Sequence, residues 1–315
     1  MCKTRLFIFL GKGGFGSVYL VNKDDIGFIS AKVIDEQRFD LKEWRVGYEL
    51  MKEKGGDHFL QYYSSTMYGQ QAVILMEYAN MDNIDMLINT GKEIPLNLIQ
   101  RLFKQIIQGI NVMHQNGLIH KDIKGQNILM QNPKGTDEMI VKIVDFGLVD
   151  NQDKIGKSLT IGIEGTLQYM APEFILAYQT HIVRADAKID MWSIGIVLYI
   201  LLTKSFPFKK FDLQSIQQFM NAGILDRPYQ IKDDQLWDFL KGLLTFDRTH
   251  RLSAIDALNH PFLNNAQSDA KITVSEIKSI TGCCPTRLPI HITKKKRTIF
   301  GSILMVIGTV CMILL

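Results

Sequence analysis

The alternation of apolar and polar residues in the first part of the chain predicts a β-rich region. Four short apolar or alternating runs are broken by glycine or asparagine, which is typical of strands joined by turns. These predicted strands cover residues 6–10, 17–21, 28–34 and 71–77. Residues 39–54, between the third and fourth runs, are consistent with a helix.

From Pro95 onward the apolar spacing changes to that of a helix. Apolar residues recur every three or four positions, at Leu98, Leu102, Ile106, Ile110 and Met113. They lie on one face of a helix that we expect to end near Gly117. A second apolar run, residues 189–203, contains Asp190 and is too short for a membrane span, so it is predicted to be a core helix. The pattern therefore predicts an α+β protein.

The composition excludes several classes of protein. The 315 residues are 46% hydrophobic and 22% charged, so the chain can bury a sizeable core and is neither disordered nor collagen-like. The four cysteines lack C-x-x-C spacing, which argues against a zinc site and favours a reducing compartment. The net charge of +4 is uneven, because residues 285–315 hold five basic residues and no acid. Residues 1–284 therefore carry −1, which does not suggest nucleic-acid binding.

The last residues of the chain predict a membrane anchor. Residues 299–315 carry no formal charge and follow a basic cluster at 294–297. Seventeen residues are at the short end of the length that spans a bilayer, and basic residues mark the cytosolic flank. We expect a transmembrane tail anchor at 299–315 with the body of the protein in the cytosol. A thin internal membrane such as the endoplasmic reticulum suits this length. The alternative is a buried C-terminal helix with a solvated basic cap.

A glycine-rich segment and a lysine suggest phosphate binding. Residues 11–18 fit the pattern G-x-G-x-x-G-x-V, and glycine allows a backbone to approach phosphates closely. A strand rather than a helix is predicted to follow, unlike the dinucleotide-binding fingerprint. Lys32 lies in an apolar strand 16 residues after Gly16, where a phosphate would supply the charged partner it needs. The alternatives are a hairpin without a ligand and a lysine whose ammonium reaches solvent.

Two later segments contain side chains suited to catalysis and to a hard cation. Asp122 and Asn127 follow the predicted helix, and Asp145 lies where a strand runs into a turn. Carboxylate and amide oxygens, together with substrate phosphates, are the ligands that Mg²⁺ prefers. Each residue alone is more often a turn or cap residue, so the argument depends on their order along the chain.

These segments together resemble the motif set of the eukaryotic protein kinases. The resemblance covers about residues 5–263. It continues in residues 165–173, 190–195, 247–251 and 260–262. Lys124 and Thr166 are similar to the residues that the serine/threonine class has at these positions.

The resemblance implies a two-lobed fold with a small β-rich N-lobe and a larger helical C-lobe. The kinase domain would cover residues 1–263, divided near residue 79. A linker with a basic flank would cover residues 264–298, followed by the transmembrane helix. In this family Asp190 and the pair Glu173–Arg251 are structural.

The resemblance also implies an ATP-dependent serine/threonine protein kinase that uses Mg²⁺ and acts on protein substrates. Asp122 would accept the hydroxyl proton, Lys124 would neutralise the transferring phosphoryl group, and Lys32 would bind phosphates. Asn127 and Asp145 would be the metal ligands. The residues implied to contact the nucleotide are Gly11, Gly13, Gly14, Gly16, Val18, Ala31, Lys32, Met76, Glu77 and Ala79.

Two positions in the resemblance are unusual. The family pairs Lys32 with a helix glutamate, and the spacing of 17 residues favours Glu49 over Glu43, which is only 11 residues away. Lys121 stands where the family usually has arginine, and lysine cannot make the two-pronged contact that arginine makes with phosphate. Control by phosphorylation of the activation segment is therefore predicted to be weak. Ser158 and Thr160 are its candidate sites.

The alternative function is a membrane-anchored pseudokinase that acts as a scaffold. A pseudokinase would be expected to lack one or more of Lys32, Asp122, Asn127 and Asp145. All four are present.

Overall fold

The computed structural model describes residues 7–13, 16–23, 26–151 and 159–282. Its strands are β1 (Phe7–Lys12), β2 (Ser17–Lys23), β3 (Gly27–Asp35), β4 (Tyr62–Tyr68), β5 (Gln71–Glu77), β6 (Leu118–Ile119), β7 (Ile128–Gln131), β8 (Glu138–Ile143), β9 (Asp150–Asn151), β10 (Leu159–Gly162), β11 (Ile182–Ala185) and β12 (Ile272–Thr273). Its helices are α1 (Leu41–Leu50), α2 (Asp85–Asn89), α3 (Leu96–Gln115), α4 (Pro172–Leu176), α5 (Lys188–Thr203), α6 (Leu213–Ala222), α7 (Asp234–Leu243), α8 (Ala254–Asn259) and α9 (Val274–Thr281).

The N-lobe is an antiparallel sheet with one helix. Its strands lie in the order β1-β2-β3-β5-β4, and α1 packs against β4. The four predicted strands correspond to β1, β2, β3 and β5. Strand β4 was not predicted, because Ser64, Ser65 and Thr66 interrupt its apolar pattern.

Helix α1 occupies the middle of the predicted helical range. It begins at Leu41 because the carboxylate of Asp40 accepts a hydrogen bond from the backbone of Lys42 at 2.8 Å. Gly47 allows the helix to approach the sheet closely, since a Cβ there would lie 2.4 Å from the ring of Tyr62. The helix is therefore held tightly against β4.

The C-lobe is mainly helical and is built around α3 and α5. Helix α3 buries the predicted stripe, and the chain turns at Gly117 with a φ of 69°. Helix α5 is apolar on nearly all sides and lies in the core, which confirms the prediction of a core helix. Strands β7 and β8 form a hairpin that leads into the region of Asp145.

The structure corrects part of the predicted linker at 264–298. Strand β12 adds to β8, and α9 follows it with its buried side toward the C-lobe. Arg101 of α3 holds Glu276 of α9 through hydrogen bonds of 2.6 and 3.0 Å. Residues 272–281 are therefore part of the folded body. Their polar residues suggested a linker, but Val274, Ile277 and Ile280 are spaced as in an amphipathic helix.

The predicted membrane anchor at 299–315 lies outside the described residues. Within the ranges that the structure describes, no helix is both long and apolar enough to cross a bilayer.

Candidate active site

A cleft of about 800 Å³ lies between the N-lobe sheet and the C-lobe. Its walls include residues from β1, β2, β3, β5 and the segments around β7 and β8. The predicted site residues that line it are Gly11, Gly13, Gly16, Val18, Lys32, Met76, Ala79, Asn127 and Asp145. Gly14 lies outside the described residues. The structure therefore brings the glycine-rich segment and Lys32 into one cleft with Asn127 and Asp145.

The structure corrects the prediction that Ala31 contacts the nucleotide. Ala31 is fully buried in a small apolar cluster with Tyr19, Val33 and Val73. Side chains alternate along a strand, so the residue that shares the cleft face with Lys32 is Ser30, and Ser30 lines the cleft. This period of two could have identified Ser30 from the sequence.

The side chain of Glu77 lies outside the cleft lining and makes contacts between the lobes. Its carboxylate accepts hydrogen bonds from Gln131 Nε2 at 2.6 Å, Lys142 Nζ at 3.1 Å and the backbone of Gln61 at 3.1 Å. These contacts use the carboxylate to join the end of β5 to the C-lobe. Glu77 therefore supports the connection between the lobes, and its neighbours Met76, Tyr78 and Ala79 line the cleft.

The prediction that Glu49 pairs with Lys32 is wrong. Lys32 Nζ lies 2.6 Å from Glu43 Oε1 and 2.9 Å from Asp145 Oδ1. The Glu49 side chain is 64% exposed and contacts Lys52 at 3.3 Å. The buried side of α1 carries Glu43, Val46, Gly47 and Leu50. That i, i+3, i+4, i+7 spacing could have identified Glu43, whereas Glu49 lies six residues further on a different side.

Two of the three charged groups at this position, Lys32 and Asp145, favour their ionised forms, whereas burial raises the pKa of the Glu43 carboxyl. Burial alone disfavours the Lys32 ammonium, but Glu43 and Asp145 outweigh it and raise the pKa of Lys32. Burial likewise opposes ionisation of Asp145, but Lys32 lowers the pKa of that carboxyl below its ordinary value. The site therefore presents an ammonium and a carboxylate to the cleft.

Asp122 is fixed by donors on both oxygens of its carboxylate. Oδ1 accepts from the Thr166 backbone at 3.0 Å and from its hydroxyl at 2.7 Å. Oδ2 accepts from Lys124 Nζ at 2.7 Å and Asn127 Nδ2 at 3.2 Å. Asp122 is only 7% exposed. The structure therefore joins Asp122, Lys124 and Asn127, which the resemblance placed in one site, and Thr166 lies with them.

Asp190 holds the backbone that carries Asp122. Its carboxylate accepts from the backbones of His120 and Lys121, each at 2.9 Å, and contacts His114 Nε2 at 2.9 Å. Burial opposes ionisation, but the hydrogen bond from His114 and the other donors lower the pKa of Asp190. A second structural pair, Glu173 and Arg251, is joined by two hydrogen bonds of 2.9 Å.

The donors at the cleft fit a magnesium ion bound together with phosphates. Among the residues described, no group of three or more histidines, cysteines and acids is arranged to hold a metal by itself. Asp145 supplies a carboxylate, and Asn127 supplies an amide oxygen because its nitrogen donates to Asp122. One or two protein ligands suffice for Mg²⁺ when phosphates complete its coordination.

Comparison with known proteins agrees with this geometry. The protein kinase domain family matches residues 6–263. The chain is 29% identical over 276 residues to myosin light chain kinase 2, skeletal/cardiac muscle, of Rattus norvegicus, covering 86% of this chain and 44% of that protein. It is 31% identical over 274 residues to calcium-dependent protein kinase 4 of Plasmodium falciparum, covering 84% and 50%.

A third relative is named for its hydroxyl specificity. The chain is 31% identical over 260 residues to serine/threonine-protein kinase pakG of Dictyostelium discoideum, covering 81% of this chain and 21% of that protein. The chain spans half or less of the length of these relatives.

Proposed function

Because this chain belongs to the protein kinase domain family, in its serine/threonine class, we propose that it transfers the γ-phosphoryl group of Mg-ATP to serine or threonine hydroxyls of proteins. The observation that carries this proposal is the presence of two charged clusters, one around Lys32 and one around Asp122. Lys32 contacts Glu43 and Asp145, while Lys124 and Asn127 contact Asp122.

Different residues of the cleft have different roles in phosphoryl transfer. The backbone at Gly11, Gly13 and Gly16 approaches the nucleotide phosphates, and the Lys32 ammonium binds them as a point charge. Asp145 and Asn127 would hold Mg²⁺, which neutralises phosphate charge when it is bound.

Asp122 orients the substrate hydroxyl and accepts its proton. Lys124, 2.7 Å from Asp122, offsets the charge of the transferring group. Thr166 fixes the Asp122 carboxylate, so the acceptor oxygen is already oriented before a substrate binds.

The test separates nucleotide binding from turnover. Mg²⁺-dependent ATP binding is measured by thermal shift, and phosphate incorporation is measured on serine, threonine and tyrosine peptide arrays. Asp122→Asn should leave the ATP Kd within about 2-fold but reduce kcat by roughly 10²- to 10⁴-fold. Asp234→Asn is the matched control, because Asp234 is in an exposed pair with Arg227. Wild-type protein that binds ATP without any turnover would instead support the scaffold alternative.

We further propose that residues 299–315 anchor this kinase in an internal membrane, with the kinase domain in the cytosol. The span is uncharged and is preceded by the basic cluster at 294–297. Such a cluster at cytosolic headgroups contributes about 1 kcal/mol per charge on anionic lipid. Carbonate extraction of the full chain and of a truncation after Arg297 tests this. Only the full chain should remain in the membrane fraction, and full release of both forms would contradict the anchor.

A further inference from the structure

We propose that Glu164 and Asp150 are positioning residues that hold the catalytic loop (residues 120–127) and the activation segment (residues 145–171) together through Lys121, without phosphorylation. This inference rests on the proposed kinase function. It concerns an ion cluster, defined as the buried Lys121 with Asp150 and Glu164, that the phosphoryl-transfer mechanism does not use.

The cluster is a buried cation held by two carboxylates. Lys121 Nζ lies 2.7 Å from Asp150 Oδ2 and 3.0 Å from Glu164 Oε2. The Lys121 side chain is 2% exposed. Its partners lie 29 and 43 residues away along the chain. A buried ammonium needs such partners, because an unpaired charge in this environment is costly.

The carboxylates come from the two ends of one segment. Asp150 begins β9, which pairs with β6 immediately before the catalytic loop. Glu164 follows β10 and lies two residues before Thr166, which binds Asp122. Lys121, the residue that precedes Asp122, therefore binds both ends of this segment.

The backbone packing around Gly165 couples the cluster to Asp122. Gly165 has a φ of 118°, and a Cβ there would lie 2.6 Å from the Lys121 carbonyl oxygen. The segment thus runs in direct contact with the catalytic loop between Glu164 and Thr166. A shift of Glu164 would be transmitted to the two hydrogen bonds from Thr166 to Asp122.

The cluster also reaches the helix that carries Glu43. Lys42 Nζ lies 3.4 Å from Asp150 Oδ1, and Lys42 is adjacent to the residue that pairs with Lys32. Burial opposes ionisation of Asp150, but Lys121 and Lys42 lower the pKa of its carboxyl. Asp150 therefore remains a carboxylate that links α1 to the catalytic loop at neutral pH.

The charge balance of the cluster makes a phosphate unnecessary at Lys121. Two carboxylates already neutralise the Lys121 ammonium, and a phosphate would add close to two further negative charges beside them. A phosphorylated side chain would therefore have to displace Glu164 or meet its repulsion. The Glu164 carboxylate therefore replaces a phosphate as the anion that pairs with Lys121.

The experiment compares dephosphorylated full-length proteins in detergent. Glu164 is 56% exposed, so Glu164→Gln should fold normally. It should lower kcat by about 10- to 100-fold, the cost of misplacing a catalytic group, with the ATP Kd within about 2-fold. Glu164→Asp should restore part of the loss. Asp234→Asn, in an exposed pair, should keep full activity.

Two results would overturn the inference. One is wild-type activity that disappears on phosphatase treatment and returns on rephosphorylation. The other is Glu164→Gln with unchanged kcat. A Ser158→Ala, Thr160→Ala double variant should remain fully active.

Hydrogen exchange separates this inference from the proposed function. Amides of residues 159–166 should exchange faster in Glu164→Gln than in wild type, because the segment loses its link to Lys121. Equal protection in the two proteins would overturn the inference even if the protein had no kinase activity. Absence of wild-type turnover would contradict only the proposed function.

Discussion

Two buried lysines of this kinase each contact one aspartate and one glutamate, but their surroundings differ. Lys32 contacts Glu43 and Asp145, and Lys121 contacts Asp150 and Glu164. Asp145, Asp150 and Glu164 come from the chain that follows β8, whereas Glu43 comes from α1. Lys32 lines the cleft, whereas the Lys121 side chain is almost fully enclosed.

The difference shows that a ligand site is distinguished from a structural site by access to the lysine ammonium from the cleft. The charges of the partner residues are the same in both. An ammonium at a cleft can exchange a carboxylate contact for a phosphate. An enclosed ammonium already neutralised by two carboxylates stabilises one arrangement of the chain instead. The following predictions test this distinction.

The largest difference is expected between the two aspartates. Asp145→Asn should lower kcat/KM by more than about 1,000-fold, because it removes the proposed ligand for Mg²⁺. Asp150→Asn should lower it by only about 10- to 100-fold, because it weakens positioning. Initial rates across a range of Mg-ATP concentrations measure both. Equal losses would show that the two clusters do not differ in kind.

Arginine should distinguish the two lysines. Lys32→Arg should reduce kcat/KM for ATP by roughly 100-fold, because the larger planar guanidinium does not fit the compact position between Glu43 and Asp145. Lys121→Arg should stay within about 3-fold of wild type, because both carboxylates can still be paired. Greater sensitivity at position 121 than at position 32 would contradict this ranking.

The two glutamates of α1 provide an internal control. Glu43→Gln should reduce kcat by about 10- to 100-fold, because a buried lysine loses its closest partner. Glu49→Gln should change kcat by less than about 2-fold, because it alters an exposed pair. Circular dichroism checks that both proteins are folded. The reverse order would mean that α1 takes another register in the active protein.

The smallest effect concerns stability and pH. The pKa of Asp150 lies below its ordinary value of 3.8, so its stabilising contribution is complete above that pH and is lost as pH falls through the folded-state value. Asp150→Asn should reduce the free energy of unfolding by about 1 kcal/mol near neutral pH. The difference from wild type should shrink below about pH 3.8. Urea unfolding followed by tryptophan fluorescence measures it, and a constant difference would contradict the assignment.

The periodicity of apolar residues predicted strands and helices better than it predicted which side chains contact one another. The alternating runs identified four strands of the N-lobe sheet, and the helical spacing identified α3. The error at Glu49 came from using distance along the chain, and Ala31 was inferred from the resemblance; in both cases the side of the element that faces the cleft decides. Glu43 lies on the buried side of α1, and Ser30 shares the cleft face with Lys32.

The sequence by itself determined the fold class and the residue types that supply the chemistry, because short-range spacing sets helices, strands and the order of the motifs. Tertiary structure alone decided that Lys121 meets Asp150 and Glu164, and that residues 272–281 pack on the C-lobe. These contacts join positions tens of residues apart. Their geometry depends on where the chain returns after each strand and loop, which no local pattern specifies.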